Sequence, residues 1–260
     1  MSTGAARAAV SFGYNCDVLP YIIVVILIAF LLGSVTRVFR CIRASKSLVR
    51  ISETFLKDYF VGETGGVPMT YVALGASTAV GTGVQRVEQT YPYLIASHFA
   101  LRGYSVHVIN LAQNGTTLEQ IVRDQMPQVA QFHPHLITVS AGTNDVFRGT
   151  PIDKYRIQAS QLADGLLHTH ATNILISNTP NLSNAPAIPM LLRSVGRWKA
   201  RLQNTALTAA LAQRSIQIID VYHNLPYLRD YYAADGLHPS VVGYDQWSRL
   251  FIAQLSVKIR

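Results

Sequence analysis

The first pattern along the chain is a long apolar run near the N-terminus. No charged residue occurs from Val18 to Thr36. With its flanks, the segment Leu19–Val38 reaches the roughly 20 residues that a helix needs to cross a bilayer core. A buried globular helix would normally show a polar face, and a cleaved signal peptide is the second alternative. The pattern favours an uncleaved single-pass transmembrane helix over residues 19–38.

Basic residues follow the apolar run directly, and no small-x-small cleavage site precedes them, which argues against a signal peptide. They are Arg37, Arg40, Arg43, Lys46 and Arg50, whereas only Arg7 precedes the run. The positive-inside rule then predicts that the body behind the helix is cytoplasmic. The same basic stretch could also rest on anionic lipid headgroups, although a simple topology signal is the plainer interpretation.

From Met69 onward, short apolar runs alternate with helix-like patterns. The predicted strands are Thr70–Leu74, Ser105–Asn110, Leu136–Ser140, Asn173–Ser177 and Ile216–Val221. The predicted helices are Tyr91–Leu101, Thr117–Phe132, Asp153–His170, Pro189–Gln213 and Gly243–Val257. The strands are β-branched and almost continuously apolar, as in a parallel sheet covered on both faces. We expect an α/β, doubly wound (flavodoxin-like) three-layer sandwich with a five-stranded parallel sheet, preceded by one transmembrane helix.

These patterns divide the chain into four segments. Residues 1–18 form an N-terminal tail, 19–38 the membrane anchor, 39–66 a basic juxtamembrane segment and stalk, and 67–260 the folded body. Within the stalk, Ser47–Lys57 predicts a short amphipathic helix, and the glycines of Gly62–Gly66 end it.

Composition and charge exclude several classes of protein. Charged residues make up 14% of the chain and hydrophobic ones 49%, which excludes a disordered chain. Residues 1–60 hold seven basic and three acidic residues, and the other 200 hold fifteen and eleven, so each part carries +4. Because the positive charge is concentrated in the N-terminal segment, it does not indicate nucleic-acid binding by the body. Cys16 and Cys41 form no disulfide framework or zinc motif.

Polar residues follow the predicted strands at the sheet edge where ligands bind in such folds. After the first strand comes Gly75-Ala-Ser77, whose hydroxyl could face a cleft, although a turn or helix cap is the simpler interpretation. Ala79 stands where the Gly-x-Ser-x-Gly elbow needs glycine, so that motif is not matched. After the second strand, Gly115 could aim its N–H at an anion or merely permit a turn.

Two further blocks carry groups suited to acyl transfer. Asn144 and Asp145 follow the third strand, where the amide could donate to an oxyanion or the pair could simply form a turn and a cap. Near the C-terminus, Asp235 precedes His238 by three residues. A carboxylate so placed can accept the Nδ1–H of the imidazole and leave Nε2 free as a general base. Each block alone is weak, but the four occur together.

The four blocks resemble those of the SGNH, or GDSL, hydrolase family of serine esterases and lipase-like enzymes, over about Met69 to Val257. The quoted segments are Val72-Ala-Leu-Gly75-Ala-Ser77, Gly115, Gly142-Thr-Asn144-Asp145 and Asp235-Gly-Leu-His238-Pro. The resemblance implies that Ser77 is the nucleophile, His238 the general base and Asp235 the residue that orients it. It implies an oxyanion hole of the Ser77 and Gly115 N–H groups and the Asn144 side chain. Residues 67–260 are therefore expected to form the hydrolase domain. No metal is expected, because the pairs His133/His135 and His168/His170 have no cysteines or carboxylates at ligand spacing, and no cofactor is expected.

The sequence departs from the family at Ala76, where the first block usually has an aspartate. We expect an esterase or lysophospholipase-like hydrolase, with an acyltransferase or a catalytically idle membrane-tethered binding module as alternatives. Expected partners are an ester of a lipid or of an acylated carbohydrate, and the membrane through the N-terminal helix, but no nucleic acid. The loop Asn178–Pro189 is expected to border the cleft. The basic side chains around Arg197 favour either an anionic substrate or a solvated helix face.

Overall fold

The computed structural model describes residues 18–225 and 228–255. The strands are β1 (Asp58–Val61), β2 (Val67–Gly75), β3 (Tyr104–Asn110), β4 (Leu136–Ser140), β5 (Asn173–Ser177) and β6 (Gln217–Ile219). The α-helices are α1 (Leu19–Ser52), α2 (Ser77–Val80), α3 (Tyr91–Ala100), α4 (Leu118–Gln120), α5 (Thr143–Arg148), α6 (Ile152–Leu167), α7 (Met190–Leu211), α8 (Val221–Asn224) and α9 (Val241–Ile252).

The chain divides into two compact units, Met1–Phe39 and Arg40–Arg260. The tail before Val18, with Cys16, and the predicted helix end at Val257 lie outside the described residues.

A single mixed sheet organises the second unit. Its strand order is β1-β3-β2-β4-β5-β6, and all neighbours are parallel except β1, which pairs antiparallel with β3. The five parallel strands match the five predicted segments closely, and their order is that of a doubly wound sheet. The order reverses between β2 and β4. The carboxyl ends of these two strands therefore flank the crevice in which ligands bind in such folds.

The sheet has six strands rather than the predicted five. The additional strand, β1, lies within the segment 39–66 that the sequence predicts to be a stalk. It pairs Asp58 with Ile109 and Val61 with Val106 at the edge of the sheet. This strand is only four residues long and three of them are exposed or half-buried, whereas every residue of the central strand β4 is buried. Part of the predicted stalk is therefore built into the sheet.

Two hydrophobic cores cover the two faces of the sheet. Alternate residues of β2 point to opposite faces, since side chains alternate along a strand. Tyr71 and Ala73 join the core that contains residues of α3 and α9. Val72 and Leu74 join the other core, with residues of α6 and α7. The predicted three-layer arrangement is confirmed, because helices pack on both faces.

The segment 117–132 differs from the continuous helix that its pattern predicts. After α4 it forms a π-helical turn over Ile121–Gln125 and then two 3₁₀ turns, Met126–Gln128 and Ala130–Phe132. Pro127 lies in the first 3₁₀ turn and lacks the N–H that a continuing α-helix would use. The π turn positions Gln125 with its side chain buried against the end of β2.

The membrane span predicted over Leu19–Val38 is not supported. Among the residues that the structure describes, no helix combines the length and apolarity needed to cross a membrane. The predicted segment is the first part of α1, which continues through the basic stretch as far as Ser52. The predicted cytoplasmic location of the body stays a prediction.

Candidate active site

The turn that follows β2 presents Ser77 as the first residue of α2. Gly75 immediately before it has φ +139°, and a Cβ there would lie 2.2 Å from the carbonyl oxygen of Ser140. Only glycine allows the end of β2 to lie this close to the end of β4. The N–H of Ala76 also donates to the Ser140 oxygen over 3.0 Å. The position of Ser77 is therefore set by the neighbouring strand.

The buried amide of Gln125 holds the same turn from the other side. Its Oε1 accepts from the N–H of Gly75 over 2.9 Å, and its Nε2 donates to the Gly75 oxygen over 2.9 Å. Both backbone polar groups of Gly75 are thus bound by one side chain that is 1% exposed, and the oxygen also accepts from the N–H of Gln113 over 3.2 Å. Sequence reasoning missed Gln125, although a polar residue at a buried position of an apolar helix pattern is the signal that could have found it.

His238 lies beside Ser77 and is held there by Asp235. The His238 Nε2 atom is 2.9 Å from the Ser77 Oγ, and its Nδ1 is 2.5 Å from Asp235 Oδ2. The second oxygen of Asp235 accepts from the N–H groups of Leu237 and His238. With Nδ1–H bonded to the carboxylate, Nε2 carries the lone pair that can accept the proton of the serine hydroxyl.

The electrostatic environment keeps Asp235 ionised. Burial acts to raise the pKa of its carboxyl group, since the charged form loses hydration. The hydrogen bond and the charge of His238, together with the two backbone N–H groups, outweigh burial and bring the pKa below its ordinary value. A buried carboxylate that is ionised at neutral pH can fix the imidazole tautomer and stabilise a protonated ring.

A second close approach of two backbones places the loop that carries His238. Gly83 follows α2 with φ +122°, and a Cβ there would lie 2.1 Å from the carbonyl oxygen of Pro239. The next residue of that loop, Ser240, caps α9 by accepting from the N–H of Gly243. The loop is thus fixed between the turn after Ser77 and the start of α9. Gly83 was missed from the sequence because a single glycine in a turn gives no information about its distant neighbours.

Three N–H donors named from the sequence lie on the loops around Ser77. The Asn144 side chain donates to the Thr116 oxygen over 3.0 Å, which ties the first turn of α5 to the turn after β3. Among the described residues, the backbone N–H groups of Ser77 and Gly115 donate to no acceptor. The Gly115 oxygen accepts from Arg148 over 2.8 Å. These donors are held by hydrogen bonds between loops that are far apart in sequence.

Asp145 joins the same two loops from the interior. Its carboxylate is fully buried and accepts from the N–H of Leu118 over 3.0 Å and from the Thr150 hydroxyl over 3.1 Å. Burial raises the pKa of this carboxyl group, and the N–H of Leu118 and the Thr150 hydroxyl offset only part of the effect. Asp145 therefore has a structural role beneath the site, because its oxygens accept hydrogen bonds from Leu118 of α4 and from Thr150 just after α5.

Ser77, His238 and Asn144 line one cavity at the carboxyl ends of the strands. Much of its wall is apolar, with contributions from Phe147, Leu182, Leu225, Leu237 and Trp247. The residue Ala76, where the resemblance leads one to expect aspartate, is buried and also lines this cavity. Gly115 is not among the described residues that line it. The loop Asn178–Pro189 contributes Pro180, Asn181, Leu182 and Ala185.

The structure also bears on metal binding. Within residues 18–225 and 228–255, no group of three potential His, Cys, Asp or Glu ligands is close enough to hold a metal ion. His107 and His223 each pair with a single carboxylate, Asp58 and Asp220 respectively. The polar groups that line the cavity include the Ser77 hydroxyl, the His238 imidazole and the Asn144 amide.

Comparisons with known proteins agree with this arrangement. The model of the "GDSL-like Lipase/Acylhydrolase family" matches residues 73–246, which include Ser77, Gly115, Asn144, Asp235 and His238. No curated protein matches the sequence.

Solved structures share the fold. TesA superposes with a TM-score of 0.60 at 19% identity, covering 71% of this chain and 97% of its own. A lipase/acylhydrolase from Enterococcus faecalis gives 0.58 at 21% identity, covering 72% and 94%. An acetyl xylan esterase from Geobacillus stearothermophilus gives 0.56 at 17% identity, covering 75% and 98%. At these identities the likeness shows the fold alone.

Proposed function

Because this chain belongs to the GDSL-like lipase/acylhydrolase family, we propose that it hydrolyses carboxylic esters through an acyl-enzyme formed on Ser77. The observation that carries the proposal is the continuous hydrogen-bonded path from Ser77 Oγ through the imidazole of His238 to Asp235. A serine hydroxyl is a weak nucleophile until a base accepts its proton, and this path supplies the base and its orienting carboxylate.

In the first half of the reaction, Ser77 Oγ attacks the carbonyl carbon of the ester. Its proton passes to His238 Nε2, 2.9 Å away, and the carbonyl oxygen becomes an oxyanion. The tetrahedral intermediate collapses when the bond to the leaving alcohol breaks, and His238 gives its proton to that oxygen. The products of this half are a free alcohol and an ester between the acyl group and Ser77.

The negative charge on the tetrahedral intermediate needs fixed donors. The backbone N–H groups of Ser77 and Gly115 and the Asn144 side chain are the groups that we assign to this role. In support, the first two N–H groups have no acceptor in the described part of the chain, and Asn144 faces the cavity beside Ser77. A single donor of this kind contributes about 3–4 kcal/mol to the transition state in a serine hydrolase.

In the second half, water resolves the acyl-enzyme. His238 takes a proton from water, the resulting oxygen attacks the acyl carbon, and a second oxyanion forms against the same donors. Collapse of this intermediate returns the proton to Ser77 and releases the carboxylic acid, which ionises at neutral pH. The apolar wall around Phe147 and Trp247 suits the hydrocarbon part of an acyl or alkyl group.

Labelling of Ser77 by a fluorophosphonate tests the proposal. Intact-mass analysis of the full chain is expected to show one adduct, which peptide mapping assigns to Ser77. The Ser77→Ala variant should take up no label and should lose hydrolysis of p-nitrophenyl esters. Ser194→Ala, which removes an exposed serine outside the cavity, should retain both. Absence of labelling in folded wild-type protein would reject the serine mechanism and favour the idle binding module.

A further inference from the structure

The first half of α7 exposes an apolar stripe. Leu191, Val195 and Trp198 are spaced i, i+4 and i+7, so they lie on one face of the helix. Their exposed fractions are 76%, 47% and 58%. The outward face of a surface helix is normally polar, and the core-facing residues of α7 are a separate set that begins at Ala200. The stripe is therefore a surface feature without a partner in its own domain.

Cationic side chains flank this stripe. At 100° per residue, Arg197 and Arg201 lie along one side of it, and Lys199 lies on the other. In the sequence, no acidic residue occurs between Asp164 and Asp220, so α7 contains cations without any compensating carboxylate of its own. This surface combines exposed apolar side chains, a tryptophan and an uncompensated positive charge within about three helical turns.

We propose that this face, formed by Leu191, Val195 and Trp198 with its flanking cations, docks onto the surface of an anionic phospholipid bilayer. Helices that lie in the membrane interface combine these same properties, and each nearby cation strengthens the attraction to anionic headgroups. Tryptophan is favoured at the membrane–water interface because one end of its ring is apolar and the other end is polar. A second copy of the chain fits less well, since it would bring the same cations together.

The position of α7 connects this surface with the cavity. The helix begins at Met190, directly after the loop Asn178–Pro189 that lines the cavity. Leu182 of that loop packs close to α7, because a Cβ atom added at Gly196 would lie 3.3 Å from the Cβ atom of Leu182. Docking would therefore present the cavity to amphiphilic esters at the lipid surface. This consequence for the substrate depends on the proposed ester hydrolysis, whereas docking itself does not.

Tryptophan fluorescence gives a local measurement of docking. The chain has two tryptophans, Trp198, which is exposed, and Trp247, which is 5% exposed. The full-length protein is mixed with phosphatidylcholine vesicles that contain brominated phosphatidylglycerol, a quencher within the bilayer. We expect quenching in wild type and none in Trp198→Phe, where only the buried tryptophan remains. Purely zwitterionic brominated vesicles should quench much less, because the attraction to the cations is lost.

Two double variants separate the apolar and charged contributions. The apolar variant is Leu191→Ser/Val195→Ser, and the charge variant is Arg197→Glu/Arg201→Glu. Each should weaken vesicle binding at least about tenfold. The matched control is Leu101→Ser/Arg102→Glu, which changes an exposed leucine and arginine at the opposite end of the sheet and should bind as wild type does. Because every variant retains residues 19–38, a difference in vesicle binding between an α7 variant and wild type is caused by the change in α7.

The outcomes distinguish this inference from the proposed chemistry. Ser77→Ala should bind vesicles like wild type, and the α7 variants should hydrolyse a short, water-soluble ester at the wild-type rate. Equal quenching by anionic and zwitterionic vesicles, or an unquenched Trp198, overturns the docking proposal. So does a finding that both α7 variants dissociate a dimer of the chain in solution without changing its binding to lipid.

Discussion

The Nε2 atom of His238 lies 2.9 Å from the Oγ atom of Ser77, although 161 positions separate the two residues along the chain. Three contacts between distant segments produce this distance. Gly75 lies against Ser140, Gln125 binds the backbone of Gly75, and Gly83 lies against Pro239. The site is therefore a product of how loops are held at one edge of the sheet, and substitutions at Gln125 and Gly83 should alter catalysis.

Asp235→Asn is expected to preserve the fold at neutral pH but to lower kcat by about three to four orders of magnitude, as the equivalent change does in a serine protease. The amide oxygen would keep the hydrogen bonds from the N–H groups of Leu237 and His238, so the amide NH₂ would face Nδ1 and donate to it. The imidazole would then carry its proton on Nε2 and could not accept the proton of the serine hydroxyl. Steady-state kinetics with a p-nitrophenyl ester would check this, and circular dichroism would show that the variant is folded. Activity within tenfold of wild type would contradict the orienting role.

The pH dependence of stability follows from the lowered pKa of Asp235. A carboxylate whose pKa is depressed by folding stabilises the native state above its unfolded pKa of about 3.9, and this contribution is lost as the pH falls through the folded value. Wild type should therefore lose more unfolding free energy than Asp235→Asn when the pH is lowered from 6 to below about 4. Urea unfolding at a series of pH values measures the difference. If the unfolding free energies of the two proteins fell in parallel with pH, Asp235 would contribute nothing to the loss of stability in acid.

Asn144→Ala should reduce kcat about 10²–10³-fold while leaving the protein folded, since removal of one oxyanion donor has effects of this size. The stability change should be close to 1 kcal/mol, because within the described part of the chain the side chain makes one hydrogen bond, to the Thr116 oxygen. Kinetics and urea unfolding on the same preparation separate the two effects. A large loss of stability with unchanged kcat in the remaining folded protein would assign Asn144 a structural role only.

Gln125→Leu should destabilise the protein by about 1–3 kcal/mol, because the buried N–H of Gly75 would lose its partner and the Gly75 oxygen would keep only the N–H of Gln113. Ser77 is two residues away, so we also expect kcat to fall at temperatures where the variant is still folded. The matched control is Gln128→Leu, since that amide is exposed and donates to the Asp124 oxygen. Thermal unfolding and kinetics of both variants test the prediction, which is wrong if they behave alike.

Gly83→Ala should displace the loop of His238, because the added Cβ would lie 2.1 Å from the Pro239 oxygen. The expected result is a drop in kcat together with a loss of stability. Gly103→Ala is the control for backbone strain, since Gly103 also has a positive φ, +86°, but has nothing within 4 Å of the added carbon. If both variants lose the same kcat, the contact with Pro239 does not position His238.

The sequence alone determined the elements whose signal is local. The five parallel strands were predicted within a few residues, because buried parallel strands are recognisable from continuous β-branched apolarity. The Asp235–His238 hydrogen bond was also expected, since three residues of chain hold the two side chains in one loop. The four matched blocks identified Ser77, Gly115 and Asn144 as candidates, and their catalytic roles stay a prediction.

Tertiary structure decided the features that depend on distant partners. β1 joins the sheet through its pairing with β3, although it is only four residues long and lies within a segment whose pattern predicts a stalk. The π turn that brings Gln125 to Gly75 interrupts a segment whose pattern favours one helix. The approach of His238 to Ser77 likewise depends on backbone contacts at Gly75 and Gly83, where the space available is set by residues far along the chain. Periodicity reports which face of an element is buried, but only packing selects the neighbour that lies against it.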